Sequence, residues 1–149
     1  MASLGFDLLD RHVVAGGADE PAAPGLTFAR LLERSAALAG GLRILGVERG
    51  QDVVVAVGAD DRVVAVCAVV RLGAVPVPHG PSSAVAVVDG ADGPVVRAGA
   101  DEHPLDLVRR AGSGDAAMAL ADDADGYRET VRQNAADVVE PLLDRRPVG

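Results

Sequence analysis

The chain has 149 residues, of which 49% are hydrophobic and 24% are charged, a balance typical of one folded domain rather than of a disordered chain. Its formal net charge of −8 argues against nucleic acid and anionic membranes as partners, because phosphate contacts need a basic face. All 14 basic residues are arginine, so enzymes that depend on a lysine side chain are excluded on composition alone.

Two helices are predicted in the first third of the chain. Apolar residues at helical spacing predict a helix over Leu4–Val14 that stops at the glycine pair after it. Residues 18–25 are rich in Ala, Pro and Gly and predict a loop. Thr27 is a suitable N-cap for a long helix that ends near Leu45, before a glycine. The predicted buried stripe of this helix is Phe28, Leu31, Leu32, Leu38, Leu42 and Leu45.

The next segments alternate between strand and helix. The valine run within Asp52–Val57 is typical of a strand buried on both faces of a parallel sheet. A helix over Asp61–Leu72 and a strand over Ala74–Val77 follow. Cys67, the single cysteine, lies inside the helix and is interpreted as a small buried apolar residue. This order predicts an α/β fold with an open, mostly parallel sheet flanked by helices.

The second half is predicted to hold shorter elements, separated by turns rich in Gly and Asp. We treat the whole chain, 1–149, as one α/β domain. The predicted elements are strands at Ala84–Val88, Pro94–Arg97 and Ala116–Leu120, a short helix over Pro104–Ala111, and a last helix from Tyr127 or Glu129 to Asp144.

Four blocks in a fixed order carry a resemblance to a known family. They are Leu26–Leu32, Leu38–Leu42, Leu45–Val55 and Val70–Pro78, and Phe6–His12 adds a similar opening helix. Together they resemble the N-terminal subdomain of the adenylate-forming superfamily, which comprises acyl-CoA synthetases, adenylation domains and luciferases. On this resemblance, 1–17 is the N-terminal helix and 18–26 a loop. Residues 27–78 are the best-matching core, and 79–149 are a shortened and diverged remainder.

The resemblance also implies where a phosphate-binding loop should lie. The family grips ATP with a Ser/Thr/Gly-rich loop that follows a strand and ends in lysine, and the corresponding region here is Leu120–Glu129. Gly126 matches a glycine of the family's loop, whereas Glu129 occupies the position of the family's lysine. Aspartates replace the phosphate-cradling residues at three positions. They are Asp122, Asp123 and Asp125.

A phosphate loop works by directing backbone N–H groups and positive charge at an anion, and nearby carboxylates oppose this. We therefore expect no ATP binding in the family's manner, no catalytic residue, no cofactor and no metal. The family's magnesium-holding acid, its ribose-binding aspartate and its C-terminal lysine correspond to positions beyond residue 149. The resemblance therefore implies a truncated, degenerate relative of these ligases that corresponds to their N-terminal subdomain only.

Two functions remain open. The first is a non-catalytic interaction or regulatory module that pairs with itself or binds a ligase or a carrier protein. The second is one subunit of a split acyl-adenylating enzyme, or a residual acyl- or nucleotide-binding protein. The acidic loop favours the first function, and its simplest interpretation is a solvated turn. A contact for a basic partner is the alternative interpretation of these charges.

Other patterns predict little chemistry. The G-x-G-x-x-A pattern at Gly112–Ala117 follows a helix rather than a strand, so we interpret it as a turn and not as a dinucleotide site. His12, His79 and His103 are too scattered to predict a metal site. The N-terminus lacks the regions of a signal peptide, and no apolar run approaches the roughly 20 residues of a membrane span, so the predicted location is the cytoplasm.

Overall fold

A computed structural model describes residues 2–149, and its chain starts with a helical segment that contains two wide, π-helical stretches. These stretches are Phe6–Asp10 and Val13–Gly17. Leu4, Leu8 and Leu9 are fully buried along the segment, which explains the helical spacing of its apolar residues. The predicted helix is therefore confirmed, and it extends to the glycine pair that was expected to end it.

A small hairpin precedes the first long helix. Strand β1 (Pro21–Ala23) pairs antiparallel with β2 (Leu26–Thr27), so the prediction of a plain loop over 18–25 is wrong in part. Helix α1 (Phe28–Ile44) follows, and the Thr27 hydroxyl accepts a hydrogen bond from the Arg30 backbone N–H at 3.2 Å. The predicted N-cap is confirmed.

The central strand–helix–strand unit also agrees with prediction. Strand β3 (Asp52–Ala56) is followed by α2 (Ala59–Arg71) and by β4 (Val75–Val77), which pairs parallel with β3. The three consecutive valines of β3 are buried, as expected for a strand covered on both faces. Cys67 is buried in α2, and its burial raises the pKa of the thiol to about 12.

The remaining strands form a meander. They are β5 (Ala86–Gly90), β6 (Gly93–Ala98) and β7 (Asp101–Pro104). The sheet order is β4-β3-β5-β6-β7, in which β5 pairs parallel with β3 and the last two pairings are antiparallel. The α/β fold is confirmed, and its sheet is mixed rather than mostly parallel. Strand β7 is a short edge strand that the sequence pattern did not predict.

Two more helices complete the fold, α3 (Leu105–Ser113) and α4 (Tyr127–Leu143). The strand predicted at Ala116–Leu120 is wrong, because this segment pairs with helices and not with the sheet. The Ala117 N–H donates to the Ala36 carbonyl of α1 at 3.0 Å, and its carbonyl accepts from Arg71 Nε of α2 at 3.0 Å. The preceding Gly112–Ala117 pattern forms the end of α3 and the turn after it, as interpreted from the sequence.

Glycines let α1 and α3 approach closely. A Cβ atom on Gly41 would lie 2.1 Å from the Val108 carbonyl oxygen, and one on Gly112 would lie 1.9 Å from the Ala37 carbonyl oxygen. Both distances are far inside van der Waals contact, so only glycine fits at the crossing.

Among the helices described for residues 2–149, none is long and apolar enough to cross a membrane.

Candidate functional site: the acidic loop before helix α4

The five residues predicted for the degenerate phosphate loop lie together in the structure. They line one open groove of about 530 Å³ at the start of α4, with Ala2 and Arg132 at its border. Gly126 has a positive φ of 76° and turns the chain into the helix. The five positions are Asp122, Asp123, Asp125, Gly126 and Glu129.

Asp123 caps the N-terminal helical segment. Its two carboxylate oxygens accept hydrogen bonds from the Leu4 backbone N–H at 3.1 and 2.9 Å. The first N–H groups of a helix have no partner within the helix, and a carboxylate satisfies them and also favours the positive end of the helix dipole. This loop carboxylate therefore stabilises another part of the same chain.

Arg128 connects the loop to the same segment. Its guanidinium donates from Nε to Asp123 at 3.0 Å, from Nη2 to the Ala2 carbonyl at 2.7 Å, and also to Asp7. Burial opposes the charge on Arg128, but the hydrogen bonds to Asp7 and Asp123 outweigh it and raise the pKa of the guanidinium. The charge of Arg128 is thus balanced by two internal carboxylates. We call Asp7, Asp123 and Arg128 the Arg128 network.

The other three carboxylates of the loop are exposed to solvent. Asp122 lies 3.8 Å from the Arg49 guanidinium, in an ion pair whose side chains are both largely exposed. Within residues 2–149, Asp125 and Glu129 form no ion pair. The open side of the groove therefore carries negative charge, which repels phosphate groups and attracts cations.

Tyr127 anchors the loop to the core, and sequence analysis assigned it no such role. Its hydroxyl donates to the Ala74 carbonyl next to β4, and its side chain is buried. Burial, with a smaller contribution from Asp123, raises the pKa of the phenol. Tyr127 is the single tyrosine of a chain with 2% aromatic residues, and this rarity was the available sequence signal.

Among residues 2–149, no group of three His, Cys, Asp or Glu side chains is placed to hold a metal ion. His12 lies far from the loop in the sequence. Its side chain is buried and donates a hydrogen bond to the Leu142 carbonyl at 2.6 Å. What the site can do chemically is hold the N-terminal segment and present carboxylates to solvent.

Comparison with known proteins shows which class of protein shares this fold. Solved structures that match are AMP-forming ligases and adenylation domains, and the α/β fold is that of their N-terminal subdomain. The chain is similar to a long-chain-fatty-acid-CoA ligase from Archaeoglobus fulgidus, with 22% identity and a TM-score of 0.60 over 79% of this chain and 32% of that one.

Two further structures give the same result. The artificially fused adenylation–PCP di-domain NpsA-ThdA from Klebsiella oxytoca has 17% identity and a TM-score of 0.60, over 84% of this chain and 27% of that one. Apo MatB from Rhodopseudomonas palustris has 16% identity and a TM-score of 0.52, over 81% of this chain and 30% of that one. No protein-family model and no curated protein sequence matches the chain.

These similarities concern the fold and not the activity. At 16% to 22% identity they carry no information on substrate or mechanism. The chain spans less than a third of the length of these three structures, between 27% and 32%. The resemblance drawn from the sequence is thus confirmed at the level of the fold.

Proposed function

We propose that this protein is a non-catalytic interaction or regulatory module with an adenylate-forming ligase fold, which associates with itself or binds a ligase or a carrier protein. The observation that carries the proposal is the structural role of the Asp123 side chain. Its carboxylate caps the N-terminal helical segment and holds Arg128, so the candidate phosphate loop has a structural task.

Charge supports the same proposal. Anion binding in such a loop needs free N–H groups and positive charge, whereas Asp122, Asp125 and Glu129 present carboxylates to solvent. The chain contains no lysine that could contact a phosphate or an acyl-adenylate. Arg128 could supply positive charge to the groove only if its bonds to Asp7 and Asp123 were broken.

The alternative is a split ligase subunit, or a residual binder of acyl or nucleotide ligands. One observation favours it: the groove is open, has a volume of about 530 Å³ and has Arg132 at its border. However, Arg132 is engaged by Glu140 at 2.9 Å. We rank this function second.

Isothermal titration with Mg·ATP and with a non-hydrolysable acyl-adenylate tests the proposal. We expect no binding of either ligand. A variant that keeps the Asp123 cap, Asp122→Ser/Asp125→Ser, should also release no pyrophosphate from an acid and ATP, because removing carboxylates does not create a lysine. Binding tighter than about 100 μM, equivalent to about 5.5 kcal/mol, would favour the second function instead.

A further inference from the structure

Residues 145–149, after helix α4, fold back onto the hairpin that precedes α1, and we call them the strap. The Val148 backbone N–H donates to the Ala22 carbonyl of β1 at 2.8 Å, and the Val148 side chain packs against the hydrophobic core. The Arg145 guanidinium donates to both carboxylate oxygens of Glu20, at 2.7 and 2.6 Å. The strap therefore contacts the hairpin through an ion pair, a backbone hydrogen bond and one aliphatic side chain.

Arg145 has a backbone conformation that favours glycine. Its φ is +57°, and within residues 2–149 it is the single residue other than glycine with a positive φ. It follows the end of α4, where the Arg146 N–H donates to the Pro141 carbonyl at 2.8 Å. Helices that end in this way usually have glycine at the position of Arg145, because a Cβ there crowds the following carbonyl oxygen. The arginine therefore costs backbone strain that glycine would avoid.

The contact that opposes this strain is exposed. The Arg145 side chain is 35% exposed and the Glu20 side chain is 47% exposed, so their ion pair is weak and is screened by salt. With glycine at position 145, Glu20 would lose this cation. The strap is thus held by an exposed ion pair and a few other contacts against a strained backbone, so its closed and open positions are close in free energy.

The end of α4 is held more firmly than the strap. Leu142 is fully buried, and its carbonyl bonds to the buried His12 ring at 2.6 Å. Arg11 Nη2 donates to the Leu143 carbonyl at 3.0 Å. Movement should therefore begin after these residues, and Arg145 is the hinge.

The strap covers a small cavity beside the hairpin. The cavity has a volume of about 70 Å³, and Val148 and Gly149 form one of its sides. Its other walls include Ala23, Leu26 and Val63, which are buried while the strap is closed. Opening of the strap would expose these apolar residues to solvent.

We propose that the strap is a salt-sensitive latch, which opens and closes about Arg145 while the rest of the fold remains intact. The ion pair with Glu20 holds the closed position, and the strain at Arg145 favours the open one. Opening frees the Ala22 carbonyl and uncovers the apolar cavity. The inference goes beyond the proposed function and does not depend on it.

Simple fraying of the last residues would behave differently from a latch. Fraying loosens residues progressively and does not depend on one glutamate that is 125 residues away. A latch opens as a unit and responds to the ion pair that holds it closed.

Native-state hydrogen exchange of the full chain, measured by NMR, tests the latch. The Val148 amide reports on the strap, and the Val54 amide, which donates to the Val85 carbonyl inside the sheet, reports on the core. We expect Val148 to exchange at least about 100-fold faster than Val54. Raising NaCl from about 0.05 M to about 1 M should accelerate Val148 about fivefold relative to Val54. Methyl shifts of Leu26 and Val63 should change over the same salt range.

Variants of the ion pair separate the latch from fraying. Glu20→Gln should accelerate exchange at Val148 about fivefold and abolish its dependence on salt, because it removes the charge that holds Arg145. Glu33→Gln is the matched control. Glu33 forms an exposed ion pair with Arg30 at 3.7 Å, away from the strap, so this variant should keep the original exchange rate.

Two variants of the hinge isolate the backbone strain. Arg145→Ala and Arg145→Gly both lose the ion pair, but only glycine adopts the positive φ without strain. The Val148 amide should therefore exchange about fivefold faster in the alanine variant than in the glycine variant.

Several results would overturn the inference. One is exchange of Val148 as slow as that of Val54, and another is exchange at the rate of an unfolded chain in dilute buffer. Protection that does not depend on salt would also contradict it. So would equal exchange rates in Glu20→Gln and Glu33→Gln, or in the two Arg145 variants.

Discussion

Two contacts in this molecule join elements that are distant in sequence, and they use different forces. The crossing of α1 and α3 depends on shape, because glycines bring the two helix backbones together. The Arg128 network depends on charge, because one guanidinium joins two carboxylates and a backbone carbonyl. Backbone atoms meet at the centre of the first contact, and charged side chains meet at the centre of the second.

The difference teaches how each contact should fail. A packed crossing has no room for one additional methyl group, but it should be insensitive to salt. A partly exposed ion network tolerates small changes of shape, but it loses stability when one charge is removed or screened. The predictions below separate these behaviours, beginning with the crossing.

Gly112→Ala should produce the largest effect. The added Cβ would lie 1.9 Å from the Ala37 carbonyl oxygen and 2.2 Å from the Gly41 backbone nitrogen, and neither backbone atom can move without separating the helices. We expect the free energy of unfolding in urea to fall by about 3 kcal/mol or more, equally at low and high salt. Gly114→Ala is the control, because a Cβ there meets nothing within 4 Å. Equal stabilities of the two variants would contradict the packing argument.

Arg128→Met should produce a smaller loss that depends on salt. The variant leaves Asp7 and Asp123 without their shared cation, and the Arg128 side chain is 26% exposed, so water recovers part of the cost. We expect a loss of about 2 kcal/mol in dilute buffer, and a smaller difference from the original chain at about 1 M NaCl.

Arg132→Met provides the comparison for that variant. Its ion pair with Glu140 has both side chains more than 40% exposed, so the expected loss is below about 0.5 kcal/mol. If Arg128→Met were no more destabilising than Arg132→Met, the Arg128 network would have no structural role, and the main support for the proposed function would be lost.

Sequence patterns predicted the helices and strands that are determined by residues close to one another in the chain. The Thr27 cap, the valine strand β3 and the apolar helix α2 each follow from neighbouring residues, and each is present close to its predicted bounds. The segment Ala116–Leu120 has a strand-like composition, but the sheet offers it no neighbour. Its hydrogen bonds go to Ala36 and Arg71, which the local pattern does not reveal.

The sequence predicted which residues form the candidate site, but not which residues they contact. The resemblance to the family's phosphate loop grouped five residues, and the structure places all of them around one groove. They are Asp122, Asp123, Asp125, Gly126 and Glu129. The capping role of Asp123 depends on Leu4, which is 119 residues away, so no spacing rule could have identified it. The same holds for the bond between Arg128 and Asp7, which requires the N-terminal segment to pack beside the start of α4.

His12 provides a last prediction, with a smaller expected effect. Its uncharged imidazole holds the other end of the N-terminal segment. Its Nε2–H donates to the Leu142 carbonyl at 2.6 Å, and its ring packs edge-on against Phe28. Burial lowers the pKa of His12 below its ordinary value of 6.5, against a smaller opposing contribution from the Leu142 bond. The unfolded chain therefore binds a proton at a higher pH than the folded chain does.

This ordering fixes the direction of the pH dependence. The contribution of His12 to stability is complete above pH 6.5 and is lost as the pH falls below that value, by at most about 1.4 kcal/mol per pH unit. His12→Gln keeps an N–H donor that does not titrate, so urea unfolding of this variant should show a flatter slope between about pH 7 and pH 5. His79→Gln changes an exposed histidine and should keep the original slope. If both variants kept the original slope, the acid sensitivity would come from the carboxylates, and the two ends of the N-terminal segment would not differ in their response to pH.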